Sequence, residues 1–131
     1  MAKNLPSVFV VDDEKTIAET LVTILHLSGF AAKSFTDPRE ALSAALDDAP
    51  DLLLSDVMMP ELSGVDLAIA IRQACPKCKV VLFSGQAGRM DLLLKAREQG
   101  HHFHLLSKPI HPAELLRHIR QQDPAWALGA V

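Results

Sequence analysis

Five residues of this chain have side chains suited to holding a cation and a phosphoryl group. They are the adjacent acids Asp12 and Asp13, a third acid, Asp56, the hydroxyl of Ser84 and the ammonium group of Lys108. Crowded carboxylates repel one another unless a cation lies among them. Mg²⁺ suits a site with few protein ligands, and a metal, a hydroxyl and an ammonium together are what phosphoryl transfer requires. Where such groups meet, a carboxylate becomes a candidate nucleophile.

The hydrophobic pattern predicts elements that bring these residues together. Apolar runs predict strands at 7–11, 30–35, 51–56, 79–83 and 103–106, and amphipathic segments predict helices at 14–28, 37–46, 63–74, 90–99 and from Pro112. This alternation favours an α/β fold with a parallel sheet and helices on both faces. Ligands bind at the carboxyl ends of the strands in such a sheet, and each of the five residues follows or ends a strand.

Composition limits the other possibilities. The 131 residues suit one domain, and 13 basic against 16 acidic residues give a net charge of −3, which offers no electrostatic support for binding nucleic acid or a membrane. No apolar run reaches the roughly 18–20 residues of a membrane span, and the first residues lack a signal peptide's apolar region. We expect a cytoplasmic protein with one domain over 1–123 and a tail, 124–131, without an output domain. Trp126 in that tail is either loose or packed against the fold.

The chain resembles the receiver domain of two-component response regulators. The resemblance covers residues 7–121 and rests on four motifs in order: Asp12-Asp13, then Asp56-Val57-Met58-Met59-Pro60 with Gly64 after it, then Ser84-Gly85, then Lys108-Pro109. It implies a doubly wound, flavodoxin-like (βα)5 fold with the strand order 2-1-3-4-5, which alternation alone does not give.

The resemblance also implies a role for each acid. Asp56 would accept a phosphoryl group from the phosphohistidine of a sensor histidine kinase or a phosphotransfer protein. Asp13 and Asp56 would ligate Mg²⁺ directly, and Asp12 would do so directly or through water. The backbone carbonyl of Met58 would be a further metal ligand.

Ser84 and Lys108 would bind the phosphoryl oxygens, according to the same resemblance. Their movement would change an output surface on the fourth helix, fifth strand and fifth helix, where Leu92-Leu93-Leu94 exposes at least one leucine. This surface would bind a downstream protein, and the chain would be a monomer or a weak homodimer through it. The chain would not be an enzyme beyond catalysing its own phosphorylation and dephosphorylation.

The residue before the lysine that often acts as a switch departs from the family pattern. Many receivers have Tyr or Phe three residues before the lysine, where this chain has Leu105, and Phe103 lies two residues further back. Whether Phe103 or Leu105 acts as the switch residue therefore stays open.

The positions that often tune phosphoryl lifetime hold Met58 and Gln86, and neither is an acid that would speed attack by water. We expect a moderately long-lived phosphoryl group.

Three alternatives compete with this interpretation. A haloacid-dehalogenase-type phosphatase needs a second Asp two residues after the first as an acid and base, and Met58 cannot move a proton. A pseudo-receiver would bind its partner without phosphorylation, although such proteins usually lose one of the acids or the lysine. The third alternative is that the chain is a fragment of a longer regulator with an output domain.

Two further motifs have less specific interpretations. Cys75-Pro76-Lys77-Cys78 has the spacing of a redox or zinc motif but lies between a helix and the next strand, so two plain thiols are favoured. His101, His102 and His104 form a cluster that is more typical of an exposed loop than of a metal site.

Overall fold

A computed structural model describes residues 5–85 and 90–126, with the side chain of Met90 excepted. Within these residues five strands alternate with five α-helices, followed by a short 3₁₀ helix at Pro124–Trp126. The elements are β1 (Ser7–Val11), α1 (Lys15–Leu27), β2 (Ala31–Phe35), α2 (Pro38–Asp47), β3 (Leu52–Asp56), α3 (Gly64–Ala74), β4 (Lys79–Ser84), α4 (Met90–Glu98), β5 (His104–Ser107) and α5 (Pro112–Gln121).

The five strands form one parallel sheet in the order β2-β1-β3-β4-β5, which confirms the predicted order. The central position of β3 puts Asp56 between the ends of β1 and β4. Val11 pairs with Ser55 across β1 and β3, and Ser84 pairs with Ser107 across β4 and β5. The carboxyl ends of β1, β3, β4 and β5, which are neighbours in the sheet, therefore meet at one edge, as parallel pairing requires.

Apolar side chains of the sheet are buried on both faces. All five residues of β3 are buried, which is typical of a parallel sheet covered by helices. One core lies between the sheet and α2, α3 and α4, and the other lies between the sheet and α1 and α5. The sheet is thereby held between two helical layers, which positions the strand ends at its carboxyl edge.

Several helix boundaries follow from local sequence signals. The Asp37 side chain accepts a hydrogen bond from the backbone N–H of Arg39 at 2.9 Å and caps α2, whose first residue is a proline. Ser63 caps α3 in the same way, accepting from the N–H of Asp66 at 3.1 Å. Gly29 after α1 and Gly100 after α4 have φ values of 92° and 90°, a conformation that glycine adopts without strain.

The fifth strand differs from the prediction by one residue. β5 covers His104–Ser107 rather than 103–106, because pairing with β4 begins at His104. Phe103 lies before the strand and packs against the α2–α4 core, with its ring stacked on His101 and 5.1 Å from the guanidinium of Arg72. The other predicted boundaries agree with the structure to within one residue.

The tail residue Trp126 packs against the fold. Its ring meets that of Phe30 edge to face, with 6.1 Å between the centroids, and it covers part of the α1–α5 core. The 3₁₀ helix that carries Trp126 is therefore fixed to the domain. Residues 127–131 lie outside the described residues.

Candidate functional site

Three carboxylates meet at the carboxyl edge of the sheet. Asp12 and Asp13 follow β1, and Asp56 ends β3, the strand beside it. One side-chain oxygen from each of the three lies within 4.8 Å of the others. Asp12 and Asp56 are 0% and 6% exposed, whereas Asp13 is exposed to solvent. The structure thus brings together the three acids that the sequence predicted, with two of them withdrawn from water.

Lys108 supplies positive charge to this cluster. Its Nζ lies 3.3 Å from Asp12 Oδ2 and 3.3 Å from Asp56 Oδ2, so it bridges the two buried carboxylates. The ammonium also lies 5.1 Å from the centroid of the Phe83 ring. The backbone N–H of Lys108 donates to the carbonyl of Ser84 at 2.9 Å, which ties the lysine to the end of β4. The peptide bond between Lys108 and Pro109 is cis.

The pKa values of Asp12, Asp56 and Lys108 reflect two opposing effects, burial and ion pairing. Burial raises the pKa of both Asp12 and Asp56 above the ordinary value, although Lys108 and backbone N–H groups act in the opposite direction. Burial by itself would lower the pKa of the Lys108 ammonium, but the two neighbouring carboxylates outweigh it and the pKa rises. When all three carboxylates are ionised, their negative charge exceeds the single positive charge of Lys108.

Backbone hydrogen bonds fix the orientation of the two buried carboxylates. Asp12 Oδ1 accepts from the N–H of Glu14 at 2.8 Å, just before α1 begins. Asp56 Oδ1 accepts from the N–H of Met58 at 3.2 Å. In both cases the other oxygen, Oδ2, faces Lys108. Each carboxylate is therefore held by a local turn at one oxygen and by the lysine at the other.

Close packing behind Asp56 requires Gly64, to which sequence reasoning gave no separate role. A Cβ at Gly64 would clash with the carbonyl oxygen of Asp56 and lie 2.8 Å from its carbon. The hydroxyl of Ser55 donates to the same carbonyl at 3.0 Å, and the N–H of Gly64 donates to the carbonyl of Val57 at 2.9 Å. The first turn of α3 therefore sits directly against the backbone of Asp56. The sequence signal for this contact was the position of Gly64, eight residues after Asp56.

The loop after Asp56 has a strained residue held by an ion pair. Glu61 adopts a φ of 70°, which is uncommon for residues other than glycine. Its carboxylate lies 3.0 Å from Nη2 of Arg39, near the start of α2. Nothing in the sequence pattern indicated this contact between the start of α2 and the loop after Asp56.

The structure places two of the remaining predicted site residues, Ser84 and Met58, near the acids. Ser84 ends β4 at the same edge and is buried, and its carbonyl accepts from Lys108. Met58 lies two residues after Asp56 and is 44% exposed. Gln86 lies outside the described residues. The metal and phosphoryl contacts of Ser84 and Met58 stay predictions.

The histidine cluster is not brought together as a metal site. Within residues 5–85 and 90–126, the three aspartates are the only group of three or more potential ligands close enough to share an ion. His101 stacks on Phe103, and His104 lies against His118 with 4.4 Å between the ring centroids. In the same ranges no helix has the length and apolar character that crossing a membrane requires.

Comparison with known proteins identifies the family. Residues 8–120 match the family model described as the response regulator receiver domain. The DNA-binding response regulator MtrA of Mycobacterium tuberculosis is 32% identical over 113 residues, which are 86% of this chain and 48% of MtrA. The transcriptional regulatory protein CreB of Escherichia coli is 30% identical over 114 residues, 87% of this chain and 49% of CreB. The chain thus spans about half the length of these curated relatives.

Solved structures show the same architecture. The signal receiver domain of an HD domain-containing protein from Pseudomonas fluorescens has a TM-score of 0.84 and 27% identity, covering 94% of this chain and 98% of that one. The chemotaxis protein CheY4 of Vibrio cholerae has a TM-score of 0.81, covers 92% of this chain and 100% of its own, and at 24% identity supports the fold alone. The chain belongs to the receiver domain family of two-component response regulators.

Proposed function

We propose that this receiver domain accepts a phosphoryl group on Asp56 and relays a kinase signal by changing a protein-binding surface. The observation that carries the proposal is the position of Lys108, 3.3 Å from both Asp12 and Asp56 at the one edge where three carboxylates meet. A phosphoryl oxygen bound to Asp56 would lie within reach of this ammonium. Such charge-assisted contacts stabilise the developing charge in phosphoryl transfer.

The acidic cluster fits a divalent cation. Its three carboxylates are hard oxygen ligands, which Mg²⁺ prefers, and their excess negative charge is compensated only in part by Lys108. Asp12, Asp13 and Asp56 would hold the ion, together with the backbone carbonyl of Met58. When bound, the cation would offset the charge that otherwise repels an incoming phosphate.

The reaction uses the chain's own side chains in a simple order. The Asp56 carboxylate attacks phosphorus, forming an O–P bond while the N–P bond to the donor's histidine breaks. Lys108 pairs with a phosphoryl oxygen, and the Ser84 hydroxyl donates to another. The donor is a sensor histidine kinase or a phosphotransfer protein. The chain carries out no other turnover, apart from hydrolysis of its own acyl phosphate.

The response would pass from β4 and β5 to the surface formed by α4, β5 and α5. Lys108 and Ser84 are joined by a backbone hydrogen bond of 2.9 Å, so a shift of either residue acts on both strands. Leu94 on α4 and Leu105 on β5 are 53% and 36% exposed on this surface. Phe103 is packed between Arg72 and His101, which favours Leu105 over Phe103 as the residue that moves.

Incubation with acetyl phosphate and Mg²⁺ tests the proposal through intact mass. We expect one phosphoryl adduct on the wild-type chain and none on Asp56→Asn or in EDTA. Asp47→Asn, at the far end of α2, is the matched control and should be labelled like the wild type. An equal adduct on Asp56→Asn would refute the assignment. No adduct on any form would favour the pseudo-receiver, which binds without phosphorylation.

Mg²⁺ should stabilise the folded protein through the same acids. Because a ligand that binds only the native state adds RT ln(1 + [L]/Kd), about 1.4 kcal/mol is expected at tenfold excess over Kd, or a rise in Tm of about 3–5 °C. Calorimetry or fluorescence melting should show this rise, its reversal by EDTA and its loss in Asp12→Asn. An unchanged Tm at millimolar Mg²⁺ would contradict a metal role for the cluster.

A further inference from the structure

The turn between α3 and β4 contains both cysteines of the chain. We propose that Cys75 and Cys78 form a redox-reactive dithiol, which closes to an intramolecular disulfide on reaction with a small disulfide such as glutathione disulfide. In this reaction Cys75 is the attacking thiol and Cys78 is the resolving thiol. The proposal concerns a modification site that is separate from phosphoryl transfer.

The backbone of the turn brings the two cysteines to disulfide distance. Cys75 ends α3, with its N–H donating to the carbonyl of Ile71 at 2.7 Å. The N–H of Cys78 then donates to the carbonyl of Cys75 at 3.0 Å, which closes a four-residue turn with Pro76 in its second position. The ends of such a turn lie less than about 7 Å apart at Cα, and disulfides span about 4.4–6.8 Å. The turn therefore holds the two Cα atoms close to the separation that a disulfide requires.

The surroundings make the two thiols unequal. Cys75 is half-buried, and both cysteines border a surface cavity of about 400 Å³ that is also lined by Asp51 and Lys77. This cavity gives a small disulfide room to reach the more exposed of the two thiols, that of Cys75. Cys78 is 3% exposed, and its thiol donates to the carbonyl of Lys79 at 3.4 Å. We therefore expect the Cys75 thiol to make the first attack on the small disulfide.

Protonation of Cys78 slows the second step. Burial raises the pKa of the Cys78 thiol to about 11, although the guanidinium of Arg72 acts in the opposite direction. The thiolate is the nucleophile in disulfide exchange, so only a small fraction of Cys78 is reactive at neutral pH. We expect the mixed disulfide on Cys75 to persist for a measurable time before it resolves.

The two steps balance as an exchange of sulfur bonds. The Cys75 thiolate attacks one sulfur of glutathione disulfide, which releases one glutathione thiolate that takes up a proton. Cys78 then loses its proton to solvent and attacks the Cys75 sulfur, which releases the second glutathione. Two protein thiols are oxidised, and one glutathione disulfide is reduced to two thiols.

The site is independent of the acidic cluster. The six residues of β4 separate Cys78 from the edge that holds Ser84, a distance of roughly 20 Å at the rise of a strand. No residue of the turn lies among the acids or beside Lys108. Failure of either proposal therefore leaves the other intact.

Mass spectrometry of the chain treated with glutathione disulfide tests the proposal. After free thiols are blocked with N-ethylmaleimide, the wild type should have lost two hydrogens, with no blocked cysteine. Trypsin cleaves after Lys77, so peptides 73–77 and 78–79 should remain joined by a Cys75–Cys78 bridge. A wild-type chain that stops at a stable glutathione adduct, stays unreacted or forms a disulfide-linked dimer would overturn the proposal.

Two variants test the order of the thiols. Cys78→Ser should stop at one glutathione adduct, and Cys75→Ser should react at least tenfold more slowly than the wild type. Conversion of the wild-type mixed disulfide should accelerate about tenfold for each pH unit between 7 and 10, following the thiolate fraction of Cys78. Equal reactivity of Cys75→Ser and wild type, or resolution that does not depend on pH, would refute the assigned roles.

Discussion

Replacing Lys108 with Met should lower the free energy of unfolding of the metal-free protein by about 2–3 kcal/mol. Removal of one partner from a buried ion pair costs about 3–5 kcal/mol, because the remaining charge is left uncompensated. The Lys108 side chain is 20% exposed, which reduces this cost. Urea unfolding in EDTA measures the effect. Lys15→Met is the matched control, because that lysine is 77% exposed and pairs with Glu19 at 3.9 Å, so a change below about 0.5 kcal/mol is expected.

The same variant should show a characteristic pH dependence. Burial already raises the pKa of Asp12 and Asp56, and loss of the ammonium raises both further. A carboxyl group whose pKa is higher in the folded than in the unfolded state lowers the stability of the fold only at pH values at which it is ionised in the unfolded state. The deficit of Lys108→Met should therefore be full at neutral pH and shrink as the pH falls towards 3.8, the ordinary value. Adding Asp56→Asn should restore most of the lost stability at pH 7. A deficit that is constant with pH would contradict this explanation.

Gly64→Ala should damage both stability and phosphoryl acceptance. The added Cβ would clash with the carbonyl of Asp56, and both groups belong to backbone that is fixed by β3 and α3. Overpacking of this kind costs about 1–3 kcal/mol. Because displacement of a reacting group by about 1 Å can cost a hundredfold in rate, we expect phosphorylation by acetyl phosphate to slow at least tenfold.

Gly85→Ala is the matched control for the effect on stability. Among the residues that the structure describes, its added Cβ would meet nothing closer than the Cδ of Lys108 at 3.5 Å, an ordinary contact. We expect its free energy of unfolding to change by less than about 1 kcal/mol. If Gly64→Ala proved as stable as Gly85→Ala, the close approach of α3 to Asp56 would not be a structural requirement.

Most of the fold could be predicted from the sequence, because local signals and hydrophobic periodicity agreed. The Asp37 and Ser63 caps begin α2 and α3, and Gly29 and Gly100 follow the ends of α1 and α4, within two residues of the predicted helix bounds. The strand order came from the resemblance to receiver domains, since alternation of strands and helices fits several orders. The start of β5 was one residue early in the prediction, because Phe103 is as apolar as a strand residue but packs against Arg72.

The positions of the acids and of Lys108 were also predictable, because each follows a strand of a parallel sheet. Several tertiary contacts were not predictable. The pairing of Arg39 with Glu61 joins segments more than 20 residues apart with no shared pattern, and the packing of Gly64 on Asp56 depends on the angle at which α3 meets the sheet. The packing of Trp126 on Phe30 likewise depends on where α5 ends.

Identification of the phosphorylated atom tests the central claim most directly. Borohydride reduces the carbonyl of an acyl phosphate to an alcohol but leaves a free carboxylate unchanged, so an aspartyl phosphate becomes homoserine. After treatment with Mg²⁺ and acetyl phosphate, reduction and peptide mapping should place homoserine at position 56 and nowhere else. Homoserine at Asp12 or Asp13, or a phosphoryl adduct that yields no homoserine, would contradict Asp56 as the acceptor.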